Sequence, residues 1–410
     1  MRLTLPQRRF VSWFMRPFQA LWLAHPEVRF NSGEAAPLTR LPALLSRAMQ
    51  QATRKHPAKP MPTAWIETPC PAPSVRHEAA ARARQAALTK PPGSLGVLET
   101  LAVTLAALQA TDRPRAAHAP VILFAGDHGV AAKGVSAYPA SVTVEMLRNF
   151  ASGGAAVAVL ARELGVPLTV VDAGTLATES IAGTVVDKPR CGTRDFTVEP
   201  AMTDGELAAA LAAGRRAVAA AGPADLVLFG EMGIGNTTSA AAVAAALLGT
   251  APADIAGAGT GLDAEGIARK VAVIEAGLAR HGLDASSDPR RILAAVGGLE
   301  IAALAGAIVA AAQVGRPVLV DGFIVTVAAL AATRLNPGCI PWLISSHLSA
   351  ERGHAHVLAA LGASPMLDLN LRLGEGSGAA AALAVLRLAC ALHNGMATFE
   401  EAAVSGRTTP

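Results

Sequence analysis

The stretch Leu226–Gly249, LVLFGEMGIGNTTSAAAVAAALLG, decides the fold. Its first four residues, Leu226–Phe229, form an apolar run with no polar alternation. That run enters a glycine-punctuated loop, and an Ala-rich stretch of helical character follows. A strand without a polar face is covered on both sides, and a strand that feeds a helix through a short loop is half of a parallel crossover. The pattern recurs in VILFAGDHG (Val121–Gly129), PLTVVDAGT (Pro167–Thr175), RPVLVDGF (Arg316–Phe323) and PWLISSH (Pro341–His347). The reading is an α/β fold with a parallel sheet flanked by helices, whose functional loops lie at the carboxyl ends of the strands.

Composition agrees. The 410 residues are 52% hydrophobic, 16% charged and only 4% aromatic, with 38 Gly, a mix suited to close packing of helices on a sheet rather than an aromatic-rich β-sandwich. Cys70, Cys191, Cys339 and Cys390 are far apart and form no CxxC, so neither a zinc knuckle nor a disulfide framework is expected, and a reduced, cytoplasmic protein is. The charge-free run Met232–Ala253 is long enough to raise the question of a membrane span. Its opening residues Gly233, Gly235, Asn236, Thr237, Thr238 and Ser239 suit a loop and a buried helix better, and no membrane partner is expected.

The formal net charge of +4 is misleading, because residues 1–60 hold ten Lys/Arg against Glu27 and Glu34, which leaves the rest of the chain at −4. No nucleic-acid partner is expected from such a body. The first sixty residues lack the helical periodicity of the body and read as an extension outside the fold, as a targeting segment, an appended element, or sequence upstream of a start at Met61. The last is favoured, since no uninterrupted apolar run or small-residue cleavage site follows the first arginines. Residues 61–112 read as two helices broken at KPPGSLG, residues 113–365 as the α/β core, and residues 366–410 as a closing helical part.

The loop of the opening stretch carries chemistry. Gly230, Gly233 and Gly235 bring bare backbone N–H groups together where Asn236, Thr237 and Thr238 start a helix, a geometry that binds phosphate. It is not a Walker loop, and Thr238 stands where a dinucleotide fingerprint needs its third glycine. A plain tight turn with a Thr cap is the alternative. A second cluster, GAGTGLDAEGIARK (Gly257–Lys270), repeats the device at Gly259 and places Lys270 on a helix that starts near Asp263, either as a phosphate partner or as a solvated lysine.

Other constellations leave more open. His347, Glu351, His354 and His356 invite a metal reading, but the spacing is not HExxH and no metal is expected. Asp127 and His128, in FAGDHGVAAKGVSAYPASVTVEM, either wall a pocket together with Tyr138 or merely satisfy loop amides.

KPPGSLGVLE, FAGDHGVAAKGVSAYP, GEMGIGNTTSAAA, GTGLD, VGGLEIAALAGA, VLVDGF, SSHLSAERGH and LDLNLRLGEGSGAA, in that order, resemble the nicotinate-nucleotide–dimethylbenzimidazole phosphoribosyltransferase (CobT) family over about residues 75–405. The resemblance implies a parallel sheet of about six strands, a small helical domain formed from both ends of the body, and a homodimer. It also implies transfer of the 5-phosphoribosyl group from nicotinate mononucleotide to 5,6-dimethylbenzimidazole, with no cofactor. Glu375, between Gly374 and Gly376, takes the family's role of proton acceptor, and Glu231 that of a carboxylate beside the reacting C1′. Gly233, Gly235, Asn236, Thr237, Thr238, Gly259 and Lys270 are the expected phosphate site, and Ser136, Tyr138 and Leu373 the expected base pocket. The chain departs from the family pattern in lacking a glutamine after Tyr138-Pro139 and in having Arg352 where proline is common, which bears on base selectivity. A nicotinamide-dependent oxidoreductase and a non-catalytic nucleotide-binding protein are the rival readings.

Overall fold

The computed structural model describes residues 63–405. The expectations for the basic amino-terminal segment and a start at Met61 lie outside the described residues. Two helices come first, α1 (Val75–Ala87) and α2 (Val97–Leu108). The break between them is the KPPGSLG segment, tied down by Glu99, which accepts from the Gly93 and Leu95 N–H groups and pairs with Lys90 at 2.8 Å.

The core then alternates strands and helices. β1 (Val121–Gly126) leads to α3 (Ser141–Ser152) and α4 (Ala156–Leu164), and β2 (Leu168–Gly174) to β3 (Thr184–Val186) and α5 (Asp204–Ala220). β4 (Val227–Met232) is followed by α6 (Asn236–Leu248), α7 (Pro252–Ile255), α8 (Ala264–His281), α9 (Pro289–Val296) and α10 (Leu299–Gln313). β5 (Val318–Val320) precedes α11 (Phe323–Leu335), and β6 (Leu343–Ser345) precedes β7 (His347–Leu348), α12 (His354–Leu361), β8 (Leu367–Asp368) and α13 (Ser377–Gly395).

Six strands form one all-parallel sheet in the order β3-β2-β1-β4-β5-β6. Strand order reverses direction at β1 and β4, and the crevice outside the carboxyl ends of two such strands is where an open α/β sheet accepts a ligand. The five apolar runs quoted above are β1, β2, β4, β5 and β6. The sixth strand, β3, is a three-residue edge strand with Val185 and Val186 exposed.

Small residues set how closely the layers approach. Residues Leu299–Ala312 of α10 are buried without exception. A Cβ at Gly214 of α5 would strike the Ala303 carbonyl, and one at Gly306 of α10 would strike the Leu211 carbonyl, so these helices cross backbone to backbone. The charge-free run from Met232 becomes the end of β4 and α6, a helix buried over most of its surface. Among the described residues, Ser377–Gly395 is the helix long and apolar enough to cross a membrane. Its Ala379, Ala380, Leu383 and Leu386 lie instead in the core.

The two ends of the body meet. Arg84 of α1 donates to the His393 and Met396 carbonyls at the carboxyl end of α13, at 2.7 and 3.0 Å. Leu88 forms an antiparallel bridge with Thr398.

Candidate active site

A cavity of about 560 Å³ opens at the carboxyl ends of β4 and β5, between the two glycine loops and the turn before α13. Two glycine loops, with Lys270 behind them and Glu351 beside them, form one side, and the buried carboxyls Glu231 and Glu375 lie on the other. A larger depression of about 660 Å³ lies between α3 and the loop after β2. Its polar side chains, such as Arg148, Glu179 and Ser180, are exposed, and it holds no comparable buried cluster.

On the amide wall, Gly235 adopts a left-handed conformation (φ +92°) and starts α6 without any side-chain cap. The Ile234 N–H is held by Thr143 Oγ1 at 3.0 Å. Gly233, Asn236 and Thr237 line the cavity, as does Gly259 from the second loop. Lys270 is a buried residue, not a solvated one: Asp263 caps α8 by accepting from Gly266, and Lys270 Nζ reaches back to Thr237 Oγ1 at 3.1 Å and the Gly257 carbonyl at 3.0 Å. Burial lowers its pKa to about 8, against the opposing attraction of Glu351. Gly235, Thr238 and Lys270 stand behind the cavity surface, and Thr238 is fully buried in α6.

The base-pocket residues divide similarly. Tyr138 and Leu373, more than half exposed, form part of the cavity rim. Ser136 does not line it; its hydroxyl lies 3.1 Å from Thr260 Oγ1 and couples the Tyr138 loop to the second glycine loop.

The carboxyl wall comes from three places. The apolar run of the sequence stops at Phe229, but β4 continues through Met232, with Gly230, Glu231 and Met232 paired in register with Leu123, Phe124 and Ala125. Glu231 therefore projects from a rigid strand end. It accepts hydrogen bonds from Asn236 Nδ2 and the Glu375 N–H. Burial, then the nearby Asp321, Glu300 and Glu375, pushes its carboxyl up to about 8.

Glu375 sits in a turn in which Gly374, Glu375 and Gly376 are all left-handed, at φ +85°, +65° and +87°. For the glutamate that conformation costs about 1–2 kcal/mol. The turn lies directly on β4, where a Cβ on Gly230 would collide with the Glu375 carbonyl. Glu375 is only 6% exposed, and its Oε2 accepts from the Val157 N–H in the first turn of α4, at 3.4 Å. Burial raises its pKa above the ordinary carboxyl value and the charge of Asp321 adds to this, while the Val157 and Ala156 amides oppose it.

Asp321, just past β5, is the third buried carboxyl, and it stands behind the cavity surface against the turn that carries Glu375. Its place in RPVLVDGF does not by itself point to a role. The signal was an acid at a strand end; its partners lie more than fifty residues downstream.

Asp127 and His128 do not line the cavity. Asp127 accepts from the Leu176 N–H at 2.8 Å, the loop-amide role. His128 lies within hydrogen-bonding distance of Ser239 Oγ through Nδ1 (2.9 Å) and of Glu300 Oε1 through Nε2 (2.7 Å), buried beneath the first glycine loop. His347 and Glu351 reach the cavity, whereas His354 is buried against Thr326 and the Ser349 amide, with its pKa lowered to about 4 by burial, and His356 is exposed. Among the described residues no group of three or more His, Cys, Asp or Glu is arranged to hold a metal ion.

Comparison with known proteins gives this arrangement a context. Residues 70–404 match the family model described as Phosphoribosyltransferase. A nicotinate-nucleotide–dimethylbenzimidazole phosphoribosyltransferase of Bradyrhizobium sp. (strain ORS 278) is 70% identical over 345 residues, 84% of this chain and 98% of that protein. One from Xanthomonas axonopodis pv. citri (strain 306) is 58% identical over 350 residues, 83% of this chain and 98% of that protein. The crystal structure of the enzyme of that name from Thermus thermophilus superimposes with a TM-score of 0.77 at 44% identity, covering 82% of this chain and all of that one. These relatives offer no support to the oxidoreductase or non-catalytic readings. By sequence over most of its length and by fold, the chain belongs to the nicotinate-nucleotide–dimethylbenzimidazole phosphoribosyltransferase family.

Proposed function

We propose that this chain transfers the 5-phosphoribosyl group of nicotinate mononucleotide to 5,6-dimethylbenzimidazole, releasing nicotinate and α-ribazole 5′-phosphate for the lower ligand of cobalamin. The observation that carries the reading is the opposition, across one cavity, of two glycine loops backed by Lys270 and the buried Glu375. A phosphate is held where Gly233, Asn236, Thr237 and Gly259 converge, with Lys270 behind them and Gly235 and Thr238 shaping the helix start. Tyr138 and Leu373 border the heterocycle, and Ser136 steadies the loop that carries Tyr138.

In the reaction the C1′–N bond to nicotinate breaks as a benzimidazole ring nitrogen forms a new bond to C1′ from the opposite face, so the anomeric carbon inverts. Nicotinate leaves from a pyridinium and needs no proton. The attacking heterocycle becomes a cation whose other N–H passes its proton to Glu375. A carboxylate whose pKa lies above the ordinary range is better matched to that task near neutrality. Burial and the neighbouring carboxyls push the Glu231 carboxyl up to about 8. The pyridinium charge of bound nicotinate mononucleotide lowers that pKa and the proton leaves to water before the bond change, so a carboxylate faces the positive charge that develops at C1′.

The working unit is a homodimer in the cytoplasm. Family resemblance supports the first, and four free cysteines accord with the second. Incubation with nicotinate mononucleotide and dimethylbenzimidazole, with products separated by chromatography and mass, tests the reading. A new α-ribazole phosphate peak is expected, and recovery of both substrates unchanged refutes the assignment.

A further inference from the structure

The amino terminus of α13 has an unusual finish. Its N-cap is Gly376, which has no side chain to accept from the first turn. The first N–H groups of a helix nevertheless need acceptors. They find one inside the protein: Asp321 Oδ1 accepts from the Ala379 N–H at 2.8 Å and Oδ2 from the Gly376 N–H at 3.1 Å. Asp321 is 2% exposed and projects from the end of β5, so the cap belongs to the sheet and not to the helix it completes.

The same carboxyl stands behind the cavity surface, next to the other buried acids. His347 Nδ1 lies 3.9 Å from Asp321 Oδ1, and the absence of a Cβ at Gly378 lets the His347 ring pack against the first turn of α13. Glu231 from β4 accepts from the Glu375 N–H, next in the chain to the Gly376 N–H held by Asp321. Three consecutive left-handed residues are thus held between two strand-end carboxyls.

We propose that Asp321 is a positioning residue for the reaction: by filling the amino terminus of α13 from the sheet it clamps the Gly374–Gly376 turn and aims Glu375 into the cavity. The inference rests on the reading of Glu375 as the base. It deepens that reading by naming what holds the base in a conformation that a glutamate ordinarily avoids.

A second consequence is electrostatic. The groups facing Glu375 are Asp321 from β5, Glu231 from β4 and the amides of Ala156 and Val157 at the start of α4. His347 faces Asp321, and Glu300 of α10 faces Glu231. Of these, Asp321 is the like charge that holds the Glu375 carboxyl up beyond the effect of burial. Removing that charge lowers the pKa of the base, so the acid limb of the pH–rate profile moves to lower pH. Because burial also raises that pKa, the limb is read together with the KM for the mononucleotide, which a general loosening of the site would raise as well.

The test compares wild type, Asp321→Asn and Glu375→Gln in kcat, in KM for each substrate and in the pH dependence of kcat. For Asp321→Asn a fall in kcat of about tenfold or more is expected, with a smaller change in the KM of the mononucleotide and the acid limb displaced to lower pH. The amide NH2 of the asparagine would face one of the two N–H donors. If it does not fold, Asp321→Ser, smaller and still an acceptor, gives the same readouts. A kcat within twofold of wild type with an unmoved limb, while Glu375→Gln is slow, overturns the role of Asp321 alone. Wild-type turnover in Glu375→Gln removes the base itself, and the inference with it.

Discussion

Helices α6 and α13 both begin on a left-handed glycine, Gly235 and Gly376, both glycines lack a side-chain cap, and the first turn of α6 and the turn leading into α13 line the same crevice. Beyond that they diverge. The first turn of α6 meets the cavity through Asn236 and Thr237, with the lysine of another helix behind it. The first turn of α13 is occupied by the protein's own carboxyl, Asp321. The positive end of a helix can therefore serve either of two purposes. Left open, it receives an arriving anion; filled from within, it fixes the backbone beside it, here the turn that carries Glu375.

The largest effect is expected on the filled side, where Glu375→Gln keeps the shape of the side chain and removes the proton acceptor. Turnover should fall by at least ~10²-fold, the usual scale of acid–base catalysis, with the KM for nicotinate mononucleotide little changed. A KM defect without loss of kcat would erase the distinction between the two helix ends. On the open side, Lys270→Met should raise the KM for the mononucleotide by about tenfold or more, as loss of a hydrogen bond to a charged group implies. Because the Lys270 ammonium is lost as pH rises through about 8, wild-type affinity for the mononucleotide should weaken over that range, and the methionine variant should lack that dependence.

A matched pair sharpens the comparison further. Gly235→Ala and Gly376→Ala each place a Cβ on a left-handed residue at a similar cost, about 1–2 kcal/mol. The first should appear mainly in the KM for the mononucleotide and the second mainly in kcat, each by roughly tenfold. Equal partition in both variants would mean that the two ends are not separate devices.

The smallest expected effect concerns stability. Glu231 has a folded pKa of about 8, above its ordinary 4.5, so the native state holds a proton that the unfolded chain has released. Its contribution is whole below pH 4.5 and declines as pH rises toward 8. Glu231→Gln should therefore melt a few degrees above wild type at pH 8, converge with it near pH 5, and still turn over more slowly. Calorimetry at the two pH values checks the sign.

Much of this architecture was legible where information is local. The apolar runs give five of the six strands, Asp263 caps the helix that carries Lys270, and the loop from Gly233 to Thr237 lies beside the cavity. Features that depend on distant partners were not. β3 is three residues long and half-exposed, too short to show a pattern. Glu231 read as a loop residue because glycines surround it, yet β1 pairs with it and keeps it in the strand. His128 meets Glu300 across 172 positions, and no spacing rule anticipates that pair. Asp321 was visible as an acid at a strand end, but its purpose depends on a helix that begins 56 residues later.

The clamp of Arg84 on the last turn of α13 bears on how the enzyme comes into being during synthesis. The helix is secured at its far end by one of the first folded segments and at its near end by the sheet. A growing polypeptide can form the loop after β4 early, but the turn that carries Glu375 is fixed only when the final helix has emerged and docked. Translation that stops short, or a protease that trims the tail into that helix, removes core residues such as Leu383 and Leu386 together with the anchor of the Glu375 turn.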